Sequence, residues 1–114
     1  MARTSVDLLQ GTLDLIVLKT LSWGPMHGFG IARWIQLTTE DVLKVEEGSL
    51  YPSLYRMENR GWIKAQWALT ENGRRAKYYR LTAVGKRQLA AESEMWDRLT
   101  GAIGKIMTAR EQPA

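Results

Sequence analysis

Apolar residues recur at helical spacing in the first part of the chain. From Leu8 to Leu21 they fall at every third or fourth position, which is the period of a helix with one buried face. The run Trp23-Gly24-Pro25 should end this helix, because glycine leaves a helix easily and proline cannot continue one. A second helical pattern begins at about Gly28, with Ile31 and Ile35 on its apolar side. The pattern predicts two helices joined by a short connector.

A third helix is predicted to begin at Ser49, which is a suitable N-cap residue. Pro52 would then fall in the first turn, where its missing N–H costs nothing. Leu54 and Met57 continue the apolar face at helical spacing, and Gly61 should end the helix.

From Trp62 onward the period changes from helical to alternating. Ile63, Ala65 and Trp67 alternate with polar residues, and a second alternating run follows from Ala76 to Leu81; this is the pattern of half-buried strands. Between the two runs lies Asn72-Gly73, a strong hairpin signal because both residues tolerate positive φ. We therefore expect a β-hairpin with a basic tip.

Thr82 can cap a last helix that runs to about Met107. Its apolar residues form a heptad-like seam of Leu89, Trp96, Leu99, Ile103 and Ile106. A helix of this length extends roughly 36 Å, more than the small remaining body can cover. The seam is therefore expected to meet a second copy of the chain, as the interface of a homodimer.

Three helices, a basic hairpin and a long helix form the order of a winged helix-turn-helix protein. The predicted fold class is mainly α with a small β-hairpin wing and a long C-terminal dimerisation helix. Residues 1–81 would form the DNA-binding domain, residues 82–110 the dimerisation helix, and residues 111–114 a frayed tail.

Composition narrows the function classes. The 114 residues include no cysteine and one histidine, His27, which argues against a disulfide framework, a thiolate metal site or a His-rich metal site. No nucleophile, base and orienting group fit together, so we expect neither an enzyme nor a bound cofactor. No stretch approaches the roughly 20 apolar residues of a membrane span, and no secretion signal is evident. The expected location is the cytoplasm.

Charge is concentrated in one third of the chain. The stretch from Arg56 to Arg87 holds nine basic and two acidic residues, a net charge of +7, whereas the whole chain carries +4. Such a region suits a polyanion, because binding phosphates releases condensed counterions. A plain solvated surface rich in Lys and Arg is the alternative interpretation of the same pattern.

Double-stranded DNA is the partner that the predicted elements suit. A helix fits the major groove and a basic wing tip can reach flanking phosphates. The residues expected to contact DNA are Ser49, Tyr51, Pro52, Ser53, Tyr55, Arg56, Arg74, Arg75 and Lys77.

Four segments resemble the PadR-like transcriptional regulators in the same order. They are Leu9–Asp14, Gly24–Ile31, Glu47–Glu58 and Arg75–Thr82. The resemblance implies a dimeric winged-helix regulator, most often a repressor, of the short form with a single C-terminal helix. It also implies a small aromatic or apolar effector near the dimer interface, for which Met95 and Trp96 are the candidate residues.

Two other functions fit the same sequence. The chain could be an architectural DNA-binding protein with little sequence preference, or a protein-interaction module on a winged-helix scaffold. Trp96 could equally be a residue of the dimer core without any ligand, and His27 is expected to pack locally rather than to contact DNA.

Overall fold

The computed structural model describes residues 10–112, which fold into four helices and one three-stranded antiparallel sheet. In chain order the elements are α1 (Gln10–Leu21), β1 (Met26–His27), α2 (Gly28–Thr38), α3 (Glu47–Asn59), β2 (Ile63–Leu69), β3 (Arg75–Leu81) and α4 (Ala83–Thr108). The predicted fold class is confirmed. The predicted start of the first helix at Leu8 and the end of the frayed tail lie outside the described residues.

The core surrounds α1, which packs against α2, α3, α4 and β3. Its apolar members share full or nearly full burial: Leu13, Val17, Leu18, Leu21, Ile31, Ile35, Leu50, Leu54, Met57, Ile63, Tyr79 and Leu81. The apolar spacing of the first three helices therefore identified their buried faces. Trp23 is 72% exposed, because it lies in the turn after α1, beside Lys19.

The sheet has a third strand that the sequence did not indicate. Met26 and His27 pair with Tyr79 and Tyr78 of β3, so the strand order is β1-β3-β2. Two residues are too few to show an alternating pattern. This short strand fixes the connector between α1 and α2 to the base of the hairpin.

Helix α3 begins earlier than the sequence indicated. Its N-cap is Glu46, whose side chain makes no capping hydrogen bond, and Glu47 lies in the first turn, where a negative charge is favourable. Ser49 therefore lies inside the helix, and its N–H donates to the Glu46 carbonyl at 3.0 Å. Pro52 lies in the interior of the helix. Because proline has no backbone N–H, the Gly48 carbonyl receives no intrahelical hydrogen bond from position 52.

The hairpin is present, but its turn differs from the expected two-residue turn. The N–H of Gly73 donates to the Thr70 carbonyl at 2.9 Å, and the N–H of Thr70 donates to the Arg74 carbonyl at 2.7 Å. Gly73 has φ of +77°, and Asn72 is not among the positive-φ residues. This is a three-residue loop in which only the glycine adopts the left-handed conformation.

The start of α4 is clamped to the corner between α3 and β2. Thr82 is the N-cap, as predicted, and its hydroxyl accepts from the Gly85 N–H at 3.0 Å. The same hydroxyl donates to the Gly61 carbonyl at 2.5 Å, and the Thr82 N–H donates to the Trp62 carbonyl at 3.0 Å. These bonds fix the direction in which the long helix leaves the body.

Beyond its first turns, α4 leaves the rest of the chain. Leu89, expected in the dimer seam, is half-buried and packs against the chain's own core, because the helix start is held against the body there. Trp96, Leu99, Ile103 and Ile106 are between 43% and 76% exposed. In residues 10–112 no helix is long and apolar enough to cross a membrane.

Replacement of Gly85 by alanine should destabilise the protein. A Cβ at this position would overlap the Trp62 carbonyl oxygen, and backbone must shift to relieve that overlap. We expect Gly85→Ala to lower the free energy of unfolding by about 1–3 kcal/mol, measured by urea denaturation. Gly101→Ala is the matched control in the same helix, since nothing lies within 4 Å of a Cβ there. Gly101→Ala should be neutral or should raise the free energy of unfolding by up to about 1 kcal/mol. An equal loss of stability in both variants would contradict the close approach of Gly85 to the Trp62 carbonyl.

Candidate nucleic-acid interface

The outer surface of α3 carries four of its six residues expected to contact DNA. Tyr51 is 44% exposed and Tyr55 is 67% exposed, and Ser49 and Pro52 are exposed as well. The tyrosines offer ring faces and hydroxyls, which can meet thymine methyl groups and phosphate oxygens. This part of α3 can approach another molecule without any rearrangement of the core.

Ser53 and Arg56 have different surroundings from those expected. The Ser53 side chain is fully buried and donates to Oδ1 of Asp14 at 2.5 Å. Arg56, with 27% of its side chain exposed, donates from Nη2 to the same oxygen at 2.9 Å. Residues three apart share one face of a helix, so both turn toward α1. The inclusion of Ser53 among DNA-contacting residues was therefore wrong, whereas Arg56 lies at the edge of the exposed surface.

A groove of about 970 Å³ separates α3 and the start of α2 from the wing. Tyr51 lines it on one side, and Arg74, Arg75 and Lys77 line it on the other. Four basic side chains and one acidic side chain, Glu71, line this groove, the fourth basic one being Arg33. The groove therefore joins the exposed part of α3 to the wing cations in one concave and positive surface.

Neighbouring side chains order two of the wing cations. The Arg75 guanidinium lies over the Trp67 ring, with 5.0 Å between its Cζ and the ring centroid. Lys77 Nζ lies 3.6 Å from Glu58 Oε1 of α3; such a half-exposed pair contributes little stability. Arg75 is thus directed by a stacking partner, and Lys77 connects the wing to α3.

Tyr79 lies beneath these cations in β3. Burial, and secondarily the nearby Glu58 carboxylate and Tyr51, raise the pKa of Tyr79 above its ordinary value of 10.0. Its hydroxyl therefore stays protonated and neutral near pH 7, so it adds no negative charge beneath the positive groove.

Sequence reasoning missed several residues that line the groove, among them Phe29, Arg33 and Trp67. Phe29 is 70% exposed and Trp67 is 57% exposed. The alternating pattern assigned Trp67 to the buried side of β2, but the core ends before the strand does. Arg33 lies in α2. A basic residue on the solvent side of a predicted helix is common, so the sequence gave no indication that Arg33 lines the groove.

The N-terminus of α2 is shaped to accept Tyr51. Gly28 is buried, and a Cβ on it would lie 2.6 Å from the Tyr51 hydroxyl oxygen. His27 caps the helix, its Nδ1 accepting from the Gly30 N–H at 3.0 Å, and its ring packs edge-on against Tyr78. The expectation that His27 packs locally is confirmed.

A second cavity, of about 500 Å³, lies between α1 and α4 and is mainly apolar. It is lined by Thr12, Leu15, Ile16, Lys19, Trp34, Leu43, Ser93, Trp96 and Asp97. Trp96 is thus a lining residue within a single chain. Met95, expected beside it at an effector site, is 69% exposed and does not line this cavity, because successive helical residues point about 100° apart.

Neither concave surface carries the side chains of a metal centre. In the part of the chain from residue 10 to residue 112, no cluster of three His, Asp or Glu side chains could hold a metal ion. Apart from the Glu71 carboxylate, the groove is lined mainly by cations, aromatic rings and hydroxyls, a set that suits an anionic surface.

Known proteins resemble the chain over most of its length. The uncharacterized protein X of Lysinibacillus sphaericus is 29% identical over 105 residues, which cover 92% of this chain and 96% of that protein. The structure of a transcriptional regulator from Clostridium thermocellum is 30% identical, with a TM-score of 0.78 over 88% of this chain and 97% of that one. A PadR family transcription regulator from Clostridium difficile is 27% identical, with a TM-score of 0.72 over 83% and 97% of the two chains.

The sequence profile of the transcriptional regulator PadR-like family matches residues 17–91, more than half of the chain. The match includes the first turns of α4. It also includes α2, α3 and the wing, which together line the positive groove. The chain therefore belongs to the PadR-like family: it is a DNA-binding transcription regulator, not an enzyme.

Proposed function

We propose that this regulator is a repressor that binds an inverted-repeat operator as a homodimer and is released by a small aromatic or apolar effector. The positive groove carries the proposal, since it joins Tyr51 of α3 to Arg74, Arg75 and Lys77 of the wing. The homodimer and the effector draw further support from α4 and from the apolar cavity beside it.

Each protomer would insert α3 into the major groove, which is about 12 Å wide and admits a helix. Tyr51 and Tyr55 then face base edges and the adjacent backbone, with Ser49 and Pro52 at the exposed N-terminal part of the helix. The wing cations bind the phosphates beside the same groove. The wing supplies affinity without sequence preference, and α3 supplies discrimination.

The exposed seam of α4 supports a second copy as the dimer partner. Trp96, Leu99, Ile103 and Ile106 follow one another at three- and four-residue intervals on a helix about 39 Å long. A two-fold pair of such helices buries these side chains, and burial contributes about 25 cal/mol per Å² of apolar area. Two-fold symmetry would place the α3 helices on successive turns of one DNA face, roughly 34–36 Å apart.

The cavity between α1 and α4 suits a flat apolar effector. Two indoles, those of Trp34 and Trp96, line it, and the remaining walls are largely aliphatic. An effector there separates the dimerisation helix from the body and so alters the distance between the two α3 helices. The effector releases DNA only when it binds the dimer with the altered α3 spacing more tightly than the dimer with the DNA-bound spacing.

The proposed function is tested by fluorescence anisotropy with DNA from upstream of the protein's own gene. A scrambled duplex of the same length and composition is the control, and both are titrated at several salt concentrations. We expect one dimer per site and a preference for the native sequence of at least about 10³.

Equal, salt-sensitive binding to both duplexes would favour the architectural alternative. No binding to either at low salt would contradict a DNA-bound repressor at this promoter and favour a protein-interaction module. Reporter expression from the same promoter, with and without the regulator, separates a repressor from an activator.

Removal of the wing cations should weaken binding to all sequences alike. We expect Arg74→Ala combined with Arg75→Ala to reduce the slope of log affinity against log salt by about one for each phosphate that the wing no longer neutralises. Lys105→Ala combined with Arg110→Ala removes the same charge from the far end of the chain, where both residues are exposed. An equal loss of affinity in this control would mean that net charge, not the wing, determines binding.

Trp96 should report effector binding through its fluorescence. Among the chain's five tryptophans, Trp34 and Trp96 line the cavity, so flat polycyclic aromatic compounds should quench part of the emission. We expect this quenching to fall in Trp96→Ala, which keeps Trp34 as the second indole of the cavity. It should be fully retained in Trp23→Ala, whose indole is 72% exposed outside the cavity. Undiminished quenching in Trp96→Ala would place the effector elsewhere.

A further inference from the structure

A buried carboxylate in α1 binds two side chains of α3. Asp14 is 3% exposed, and its Oδ1 accepts from the Ser53 hydroxyl at 2.5 Å and from Arg56 Nη2 at 2.9 Å. Burying a carboxylate is unfavourable unless it is paired and hydrogen-bonded. This carboxylate has both kinds of partner, and they lie on one face of α3.

The ion pair restricts an arginine that would otherwise be flexible. Arg56 is the one basic residue within α3, and a long guanidinium side chain has many rotamers in water. A charge-assisted hydrogen bond to a buried acceptor is roughly twice as strong as a neutral one. Ser53 is fully buried and fixes the carboxylate in turn, so the acceptor cannot follow a moving arginine.

The arginine still has donors to offer. Its guanidinium carries five N–H groups, and Asp14 uses one at Nη2. The Arg56 side chain is 27% exposed. It lies at the edge of the exposed surface of α3, one helical turn from Pro52 and next to Tyr55 in the chain. An acceptor of an approaching duplex can therefore bind a terminal nitrogen of Arg56 while Nη2 keeps its hydrogen bond to Asp14.

We propose that Asp14 is a positioning residue for DNA recognition, which holds the Arg56 guanidinium in the orientation that meets a hydrogen-bond acceptor of the duplex. The acceptor is an oxygen or nitrogen of DNA, either a phosphate oxygen or the O6 and N7 edge of guanine. The inference rests on the proposed role of α3 as the DNA-reading helix. It differs from a purely structural ion pair, which would stabilise the fold but leave the affinity of folded protein unchanged.

The test uses the full-length protein and the operator duplex, with all titrations below the unfolding temperature of each variant. Asp14→Asn keeps the shape of the side chain and an acceptor for Ser53 but removes the charge that orients Arg56. We expect it to weaken operator binding by about tenfold or more. Ser53→Ala, which removes the other hydrogen bond to the same carboxylate, should have a smaller effect.

A double-mutant cycle separates positioning from stability. If Asp14 acts through Arg56, the combined Asp14→Asn and Arg56→Ala variant binds DNA no more weakly than Arg56→Ala alone. Additive losses of affinity, or wild-type affinity in folded Asp14→Asn, would overturn the proposal. If Asp14→Asn does not fold, Arg56→Lys is tested instead, because lysine keeps a positive charge for Asp14 but lacks the paired N–H donors of the guanidinium. Unchanged DNA affinity and sequence preference in Arg56→Lys would also overturn the proposal.

The salt dependence identifies the acceptor. An equal weakening on operator and scrambled duplexes, with a salt slope reduced by about one per phosphate, indicates phosphate as the acceptor. A weakening confined to the operator, with the slope unchanged, indicates the guanine edge. If Arg56→Ala binds like wild type while the wing variant does not, the DNA-binding function stands and the positioning role is rejected.

Discussion

The packing of α1 in the centre of the fold is the interaction on which the rest of the structure depends. Leu13, Val17 and Leu18 are buried on its inner side, and each such side chain contributes about 1.5–3 kcal/mol when fully buried. The other three helices and β3 all contact this one helix. Because α2, α3 and α4 share one support, their relative positions are set together.

The two faces of α1 contact different parts of the molecule. Leu15, Ile16 and Lys19 line the apolar cavity next to α4, whereas Asp14 lies near the opposite side of the helix and binds α3. A helix is about 10 Å across, so a ligand in the cavity lies one helix diameter from the side chains that hold α3. Displacement of α1 therefore reaches both α4 and α3 without a longer chain of contacts.

Elements with a strong local signal were predictable from the sequence. The Thr82 cap needs only a hydroxyl before a helical run, and α4 begins where it was expected. The short strand β1 was not predictable, because Met26 and His27 pair with β3 through backbone contacts that two residues cannot encode in a pattern. The early start of α3 was missed since Glu46 caps the helix without a side-chain bond.

The candidate site was predicted less completely than the fold, for a physical reason. The positive charge of Arg74, Arg75 and Lys77 is visible in composition, and all three line the groove. Ser53 stands three residues after Leu50 and four before Met57, so helical spacing places it on the buried face of α3. Its partner Asp14 lies 39 residues away in the chain, and local spacing carries no information about that contact. Trp67 was assigned to the core because periodicity does not reveal where the core ends along a strand.

The proposed function separates charge from sequence discrimination within the positive groove. In the proposed complex the wing cations neutralise phosphates, which every duplex presents alike. Helix α3 contains one cation, Arg56, and otherwise exposes neutral groups such as Tyr51 and Tyr55. A mismatched base pair weakens the binding free energy of a regulator by about 1–3 kcal/mol. A mobile arginine reduces this discrimination, because it can hydrogen-bond to an alternative acceptor on the mismatched duplex. An arginine held by a buried carboxylate has fewer alternatives. The polar contact that the core of this small protein accommodates between α1 and α3 therefore lies where fixed geometry contributes most to discrimination.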